Sequence, residues 1–183
     1  MAAWIAYPLD EVHLTGATPG LFFSNADYDM RIDNVTVIFN DPSIGTEICS
    51  GVANSTGLGA DLSLAGSDVA SANSLTVQVG SLPSNSLGYA IHSLGSTVAM
   101  NPGGSQGNLC IAGAPIGRFN AQVLNSGAAG MVSFSPDLTS LPSVTGPVAA
   151  MAGETRNFQF WYRDNVGGAA TSNFSSADSI TFQ

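Results

Sequence analysis

Few side chains in this sequence are able to do acid–base or nucleophilic chemistry. The two histidines, His13 and His92, lie in separate strand-like segments, and neither has an acidic residue at a spacing typical of a catalytic triad. The sequence contains no Gly-x-Ser-x-Gly elbow, no His-Glu-x-x-His motif and no phosphate-binding loop. The sequence therefore predicts that the protein is not an enzyme.

A calcium site is the second chemistry that the residue types allow. Asp27, Asp29 and Asp33, together with Asn25, place hard oxygen ligands at the entry to a strand. Their spacing is not that of an EF-hand loop, and Asx-rich turns usually bond their own backbone. We therefore expect no obligatory cofactor, with calcium at these three aspartates as the one candidate.

Two neighbouring aromatic residues, Trp161 and Tyr162, are candidates for stacking on a sugar ring. Trp161 falls on the polar side of its strand, which keeps its ring available for a ligand. The alternative interpretation buries Trp161 against the N-terminal segment. Glycan binding is thus a hypothesis that depends on which side of the strand is covered.

Cys49 and Cys110 are the only cysteines, and no second Cys or His lies near either of them to complete a metal site. In an oxidising compartment they would form a disulfide that closes a loop of about 60 residues, which would stabilise the fold by roughly 4 kcal/mol. Two buried free thiols are the alternative.

Charge is unusually scarce. Only 9% of the residues are charged, against roughly a quarter in ordinary soluble domains. There is no lysine, and the net charge is −9. Binding to nucleic acid or to an anionic membrane surface is therefore disfavoured. No apolar stretch reaches the length of a membrane span, so we expect no membrane insertion.

Residues 156–164 have the strongest strand pattern in the sequence, and the other strands are expected to be arranged around them. Phe158, Phe160 and Tyr162 alternate with polar residues and with Trp161, which is the period of a β-strand with one face in a core. We predict that this is the central strand of an antiparallel sheet and that Arg163 and Asp164 pair at its end.

The remaining chain has strand patterns separated by Gly, Ser, Asn and Pro, and it lacks sustained helical periodicity. These patterns predict an all-β fold, an antiparallel β-sandwich that is Ig-like or jelly-roll-like. Further strands are predicted in the following ranges: 58–64, 74–79, 87–93, 109–111, 116–124, 131–134, 144–151 and 179–182.

Several motifs in fixed order resemble a known module. Residues 54–60 read NSTGLGA, residues 105–111 read SQGNLCI, and residues 153–164 read GETRNFQFWYRD. Together they resemble a recurrent β-sandwich module at the C-terminus of large secreted or surface proteins of environmental bacteria. The resemblance covers about residues 47–183. It implies an extracellular or cell-surface location and no established activity, and it favours a bond between Cys49 and Cys110.

Residues 1–43 fall outside that resemblance. Residues 28–37 resemble the final strand of jelly-roll domains, so residues 1–43 are predicted to be either an N-terminal strand extension or the remnant of a preceding jelly-roll domain. The sandwich module is predicted to span residues 44–183. An apolar arm near the start is a candidate for donation to a neighbouring copy. Its residues are Trp4, Ile5, Tyr7, Val12 and Leu14.

These observations lead to one main functional hypothesis. The chain is predicted to be a non-enzymatic extracellular structural module that acts by protein–protein contact, as a self-assembling subunit of a surface layer or filament. Its expected partners are other copies of itself or a larger surface protein. The alternatives are a carbohydrate-binding or adhesion module, with or without calcium, and a stabilising tail domain of a larger secreted protein.

Overall fold

The structure is a computed structural model, and it describes residues 43–112 and 116–183. These residues form eleven β-strands and two single-turn 3₁₀ helices, Ala70–Ala72 and Pro102–Gly104. None of them belongs to a helix long and apolar enough to cross a membrane. The strands are β1 (Thr46–Cys49), β2 (Asp61–Gly66), β3 (Leu75–Gly80), β4 (Leu87–Ser93), β5 (Gly95–Met100), β6 (Asn108–Ala112), β7 (Gly117–Arg118), β8 (Leu124–Asn125), β9 (Val132–Phe134), β10 (Thr155–Val166) and β11 (Ala169–Thr181).

The strands form three antiparallel groups, as expected for an all-β sandwich. The main sheet has the order β1-β11-β10-β4-β7, and β8 also pairs with β4. The small sheet has the order β2-β3-β9. The covering hairpin consists of β5 and β6. All pairings are antiparallel, so short turns suffice to connect neighbouring strands such as β10 and β11.

The principal core lies between the main sheet and the small sheet. Phe158, Phe160 and Tyr162 of β10 are fully buried there, and they share one cluster with the apolar residues of the small sheet. Burial of each such side chain stabilises the fold by about 1.5–3 kcal/mol. The small-sheet members of the cluster are Leu62, Leu64, Leu75, Val77, Val79 and Val132.

The opposite face of the main sheet is also covered. Ile91 of β4 and Phe174 and Ala177 of β11 form a second cluster with Cys110 and Ile111 of the covering hairpin. Asn157 and Gln159, which lie on the polar side of β10, are buried as well. The predicted core face of β10 is therefore confirmed, and the covering hairpin buries residues of its other face as well.

Most of the strand predictions are confirmed. Residues 156–164 lie in β10, which pairs with β11 on one side and β4 on the other, so this strand is central. Residues 87–93 coincide with β4, residues 74–79 with most of β3, and the end of 58–64 with β2. The last predicted strand, 179–182, is the end of the much longer β11.

Two predicted strands are wrong. Residues 116–124 contain only the two-residue β7 and the start of β8, because a turn in which the Gln122 N–H donates to the Phe119 carbonyl at 2.8 Å breaks the run. Residues 144–151 contain one isolated bridge, between Leu141 and Val148. Gly146, at φ 110°, adopts a backbone conformation that does not continue a strand.

Candidate functional site

The covering hairpin is held on the main sheet by the side chain of Gln159. Its Oε1 accepts from the backbone N–H of Cys110 at 2.9 Å. Its Nε2 donates to the carbonyl of Asn108 at 2.9 Å and to the carbonyl of Ser175 at 2.9 Å. A glutamine amide thus supplies the hydrogen bonds that a neighbouring strand would give, which fixes the position of β6 and of the β5 strand paired with it.

A disulfide joins the same hairpin to the edge of the main sheet. Cys49 of β1 is bonded to Cys110 of β6, with their Cα atoms 6.2 Å apart. The alternative of two free thiols is therefore wrong. The bond is compatible with an oxidising compartment outside the cytosol, where disulfides persist.

Strand β5 carries the most exposed apolar surface of the hairpin. Leu94, directly before β5, is 60% exposed, and Val98 and Met100 are 59% and 76% exposed. Within the described residues β5 pairs with β6 alone, so its other edge has no strand partner. A bulge between Ser96 and Ala99 interrupts the edge, but β5 has neither the charges nor the proline that usually protect edge strands.

A cleft of about 530 Å³ opens at the end of the core where β10 begins. Its lining includes the apolar residues Leu94, Val148 and Met151 and the charged residues Glu154 and Arg156. The Glu154 carboxylate binds the Arg156 guanidinium at 2.6 Å and also accepts from the Met151 N–H at 2.9 Å. The two opposite charges are thus neutralised within the protein.

His92 completes this polar cluster. Arg156 Nη1 lies 3.2 Å from His92 Nδ1, and His92 Nε2 lies 2.9 Å from the carbonyl of Pro142. Since a guanidinium only donates, Nδ1 must accept and Nε2 must carry the proton, which defines a neutral imidazole. Burial, opposed by the Pro142 carbonyl and reinforced by Arg156, lowers the pKa of His92 to about 4. Among the residues that the structure describes, the Nε of buried Arg156 has no hydrogen-bond partner.

Acid is expected to destabilise the protein through His92. The pKa falls from 6.5 to about 4 on folding, so the contribution of His92 is fully present above pH 6.5 and is lost as the pH drops to about 4. The loss is about 3 kcal/mol in the free energy of unfolding. Urea unfolding at a series of pH values between these limits measures it, with His92→Gln as the control that removes the titrating group.

The free energy of unfolding is compared between wild type and His92→Gln at each pH, because Asp178 adds a pH dependence of the opposite sign. Burial raises the pKa of Asp178, so its contribution is lost as the pH rises. Equal pH dependence in wild type and His92→Gln would contradict the assignment of a buried neutral His92.

The aromatic pair proposed for sugar stacking is divided by the sheet. Tyr162 is 0% exposed and its hydroxyl lies 3.2 Å from Asn54 Nδ2 in the principal core, so its role as a stacking residue is wrong. Trp161, on the opposite face, is half-buried and packs on Tyr89 with ring centroids 5.0 Å apart. They line a depression of about 190 Å³ that also includes Arg118. Glycan stacking on Trp161 stays a prediction.

The predicted pair between Arg163 and Asp164 does not form. Asp164 is buried, and its carboxylate accepts from the backbone N–H groups of Ser55 and Asn165 at 2.8–3.3 Å. Arg163 is exposed and makes no salt bridge to any residue that the structure describes. The carboxylate is therefore satisfied by backbone donors of the adjacent loop.

Other predicted site residues lie outside the described ranges. These are the calcium candidates Asp27, Asp29 and Asp33 and the arm residues Trp4, Ile5, Tyr7, Val12 and Leu14. Residues 43–112 and 116–183 contain no cluster of three or more His, Cys, Asp or Glu side chains that could hold a metal. The predicted division between residues 1–43 and 44–183 stays a prediction.

Comparison with known proteins gives no relative. No family model, no curated protein and no solved structure matches the chain. The resemblance to a secreted bacterial module therefore stays a prediction that depends on its motifs alone.

The polar cluster of the cleft was not predicted from the sequence. Glu154 and Arg156 are two residues apart at the start of a strand, and this spacing places both side chains on the same side of the strand. That spacing was the one signal in the sequence for their ion pair. His92 comes from β4, 64 residues earlier, and nothing in its local sequence indicates the contact.

Proposed function

We propose that the chain is a non-enzymatic extracellular structural module that acts by protein–protein contact, as a self-assembling subunit of a surface layer or filament. The observation that carries the proposal is β5, an uncharged edge strand with Leu94, Val98 and Met100 exposed. Extended segments add to such edges through main-chain hydrogen bonds, and exposed apolar side chains favour contact with a partner.

The rest of the described surface supports contact with little desolvation cost. Only 9% of the sequence is charged, so few ionised groups need to lose water when two copies meet. The disulfide and the Gln159 amide hold the covering hairpin rigidly, so little conformational entropy is lost on binding. The partners are other copies of the chain or a larger surface protein.

The substitution Val98→Glu is expected to lower the average mass of the assemblies by about tenfold or more, because a carboxylate must lose its hydration in the contact. Val123→Glu is the matched control. Val123 is 54% exposed against 59% for Val98, it directly precedes β8 and is not part of β5, and both changes add one negative charge. Light scattering and negative-stain microscopy of the untagged proteins give the measurement.

If Val98→Glu and Val123→Glu assemble to the same extent, β5 is not part of the contact between copies. A wild-type protein that stays monomeric at every accessible concentration would contradict the whole proposal. Glycan binding in the depression beside Trp161 would then be the next function to test.

A further inference from the structure

A row of aromatic side chains crosses the face of the main sheet that the covering hairpin partly shields. Trp161 of β10 is paired with Tyr89 of β4 on one side and with Phe174 of β11 on the other, and directly paired residues point to the same face. Three neighbouring strands therefore contribute one ring each, over a width of about 10 Å. Trp161 and Tyr89 are half-buried, so part of each side chain is in contact with solvent.

Arg118 of β7 lies beside this row, because β7 is the next strand after β4 in the main sheet. It is paired with Ile91, which lies two residues after Tyr89 and therefore on the same face of β4. Arg118 lines the depression of about 190 Å³ together with the three aromatic residues. Arg118 is exposed, and its guanidinium makes no salt bridge or hydrogen bond to another residue within 43–112 and 116–183.

The charge of this depression is opposite to that of the chain. The sequence has 13 acidic residues and four arginines, yet none of the described residues that line the depression is acidic. The other two arginines that the structure describes have acidic neighbours: Arg156 is bound by Glu154, and Arg163 lines a different depression with Asp164. A guanidinium beside aromatic rings and without an acidic neighbour, in a chain of net charge −9, indicates a ligand with a negatively charged group.

The size of the depression limits the ligand further. A volume of about 190 Å³ is below the roughly 300–1,000 Å³ of sites that enclose a drug-sized ligand, so it accommodates a single ring. A uronic acid residue combines the two features that the site can recognise. The C–H face of its sugar ring stacks on aromatic side chains, and its carboxylate accepts two parallel hydrogen bonds from a guanidinium.

We propose that the depression beside Trp161 binds a uronic acid residue of an acidic polysaccharide, with the sugar ring on Trp161 and Tyr89 and the carboxylate on Arg118. The described residues that line it lie outside β5, so this binding is separate from the contact between copies.

Isothermal titration calorimetry of the full chain with trigalacturonate, in calcium-free buffer, tests the proposal. The fully methyl-esterified trisaccharide is the matched control ligand, because esterification removes the charge and keeps the sugar rings. We expect the acid to bind about tenfold or more tightly than the ester, since the ester lacks the charge-assisted hydrogen bonds to Arg118. Added salt should reduce this difference, because Arg118 is exposed.

Two variants separate the contributions of charge and stacking. Arg118→Gln should bind the acid and the ester equally, and Trp161→Ala should bind neither. Arg163→Gln is the control, because it removes the same charge from another exposed arginine and should bind like wild type. Circular dichroism and thermal melts confirm that each variant is folded. If Trp161→Ala does not fold, the comparison of Arg118→Gln with Arg163→Gln still decides the result.

The site would be overturned if wild type bound neither ligand, or if Arg118→Gln preferred the acid as strongly as Arg163→Gln does. Equal binding of acid and ester by wild type would overturn the acidic ligand. Binding of N-acetylphenylalanine without binding of trigalacturonate would overturn the sugar. Light scattering keeps the two proposals apart: Arg118→Gln should assemble like wild type, and a monomeric wild type that binds trigalacturonate would contradict the proposed function alone.

Discussion

Gln159→Leu is expected to lower the free energy of unfolding by at least about 3 kcal/mol. Leucine leaves the Cys110 N–H and the carbonyls of Asn108 and Ser175 without their side-chain partner on the buried face of the main sheet. A buried polar group without a partner costs about 1–3 kcal/mol, and three groups are affected. Urea unfolding at pH 7 gives the measurement.

Gln78→Leu is the matched control for this prediction. Gln78 lies on β3 and is exposed, so its replacement by leucine breaks no buried hydrogen bond in the described structure. We expect a change within about 0.5 kcal/mol at this position. If both substitutions destabilise the protein equally, the Gln159 amide does not hold the covering hairpin.

Replacement of both Cys49 and Cys110 by alanine is expected to cost about 4 kcal/mol in the free energy of unfolding. The bond closes a loop with a sequence separation of 61 residues, and its main effect is to restrict the unfolded chain. Reduced wild type and the double variant should therefore have nearly the same stability. Urea unfolding with and without reductant measures the effect.

The disulfide and the Gln159 side chain both contact the covering hairpin. A variant that lacks both tests whether their contributions to the free energy of unfolding are independent. When the Cys49→Ala/Cys110→Ala change is combined with Gln159→Leu, the two losses should add to within about 0.5 kcal/mol, because the disulfide mainly restricts the unfolded chain whereas the Gln159 amide acts in the folded hairpin. A combined loss well below the sum would indicate that the disulfide also holds the folded hairpin in place.

The central strand could be predicted because its signal is local. Phe158, Phe160 and Tyr162 alternate with a period of two, and this pattern can be recognised in the sequence whatever packs on the strand. The same alternation misplaced the strand predicted at 116–124. There, Phe119 instead donates its N–H to the Ala90 carbonyl at 2.9 Å and begins a turn, a contact with a distant strand that no local pattern contains.

The candidate sites also depend on long-range contacts that a local sequence pattern does not contain. The exposed apolar residues Val98 and Met100 look like core residues in the sequence, and only the position of β5 at the edge of the hairpin exposes them. Tyr162 looked available for a ligand, but it faces the principal core. The cleft combines the end of β4 and the start of β5 with residues 143–156, which lie far from them in the sequence.

The sequence by itself determined the all-β class, the central strand, the scarcity of charge and the pair of cysteines, because these follow from composition and from short-range periodicity. Only the tertiary structure decided that β10 is buried on both faces, that β5 is an edge among the described strands, and that His92, Arg156 and Glu154 meet. The physical reason is that the alternation of side chains along a strand defines its two faces in the sequence. What covers each face, and what pairs with each edge, depends on contacts between residues far apart in the chain.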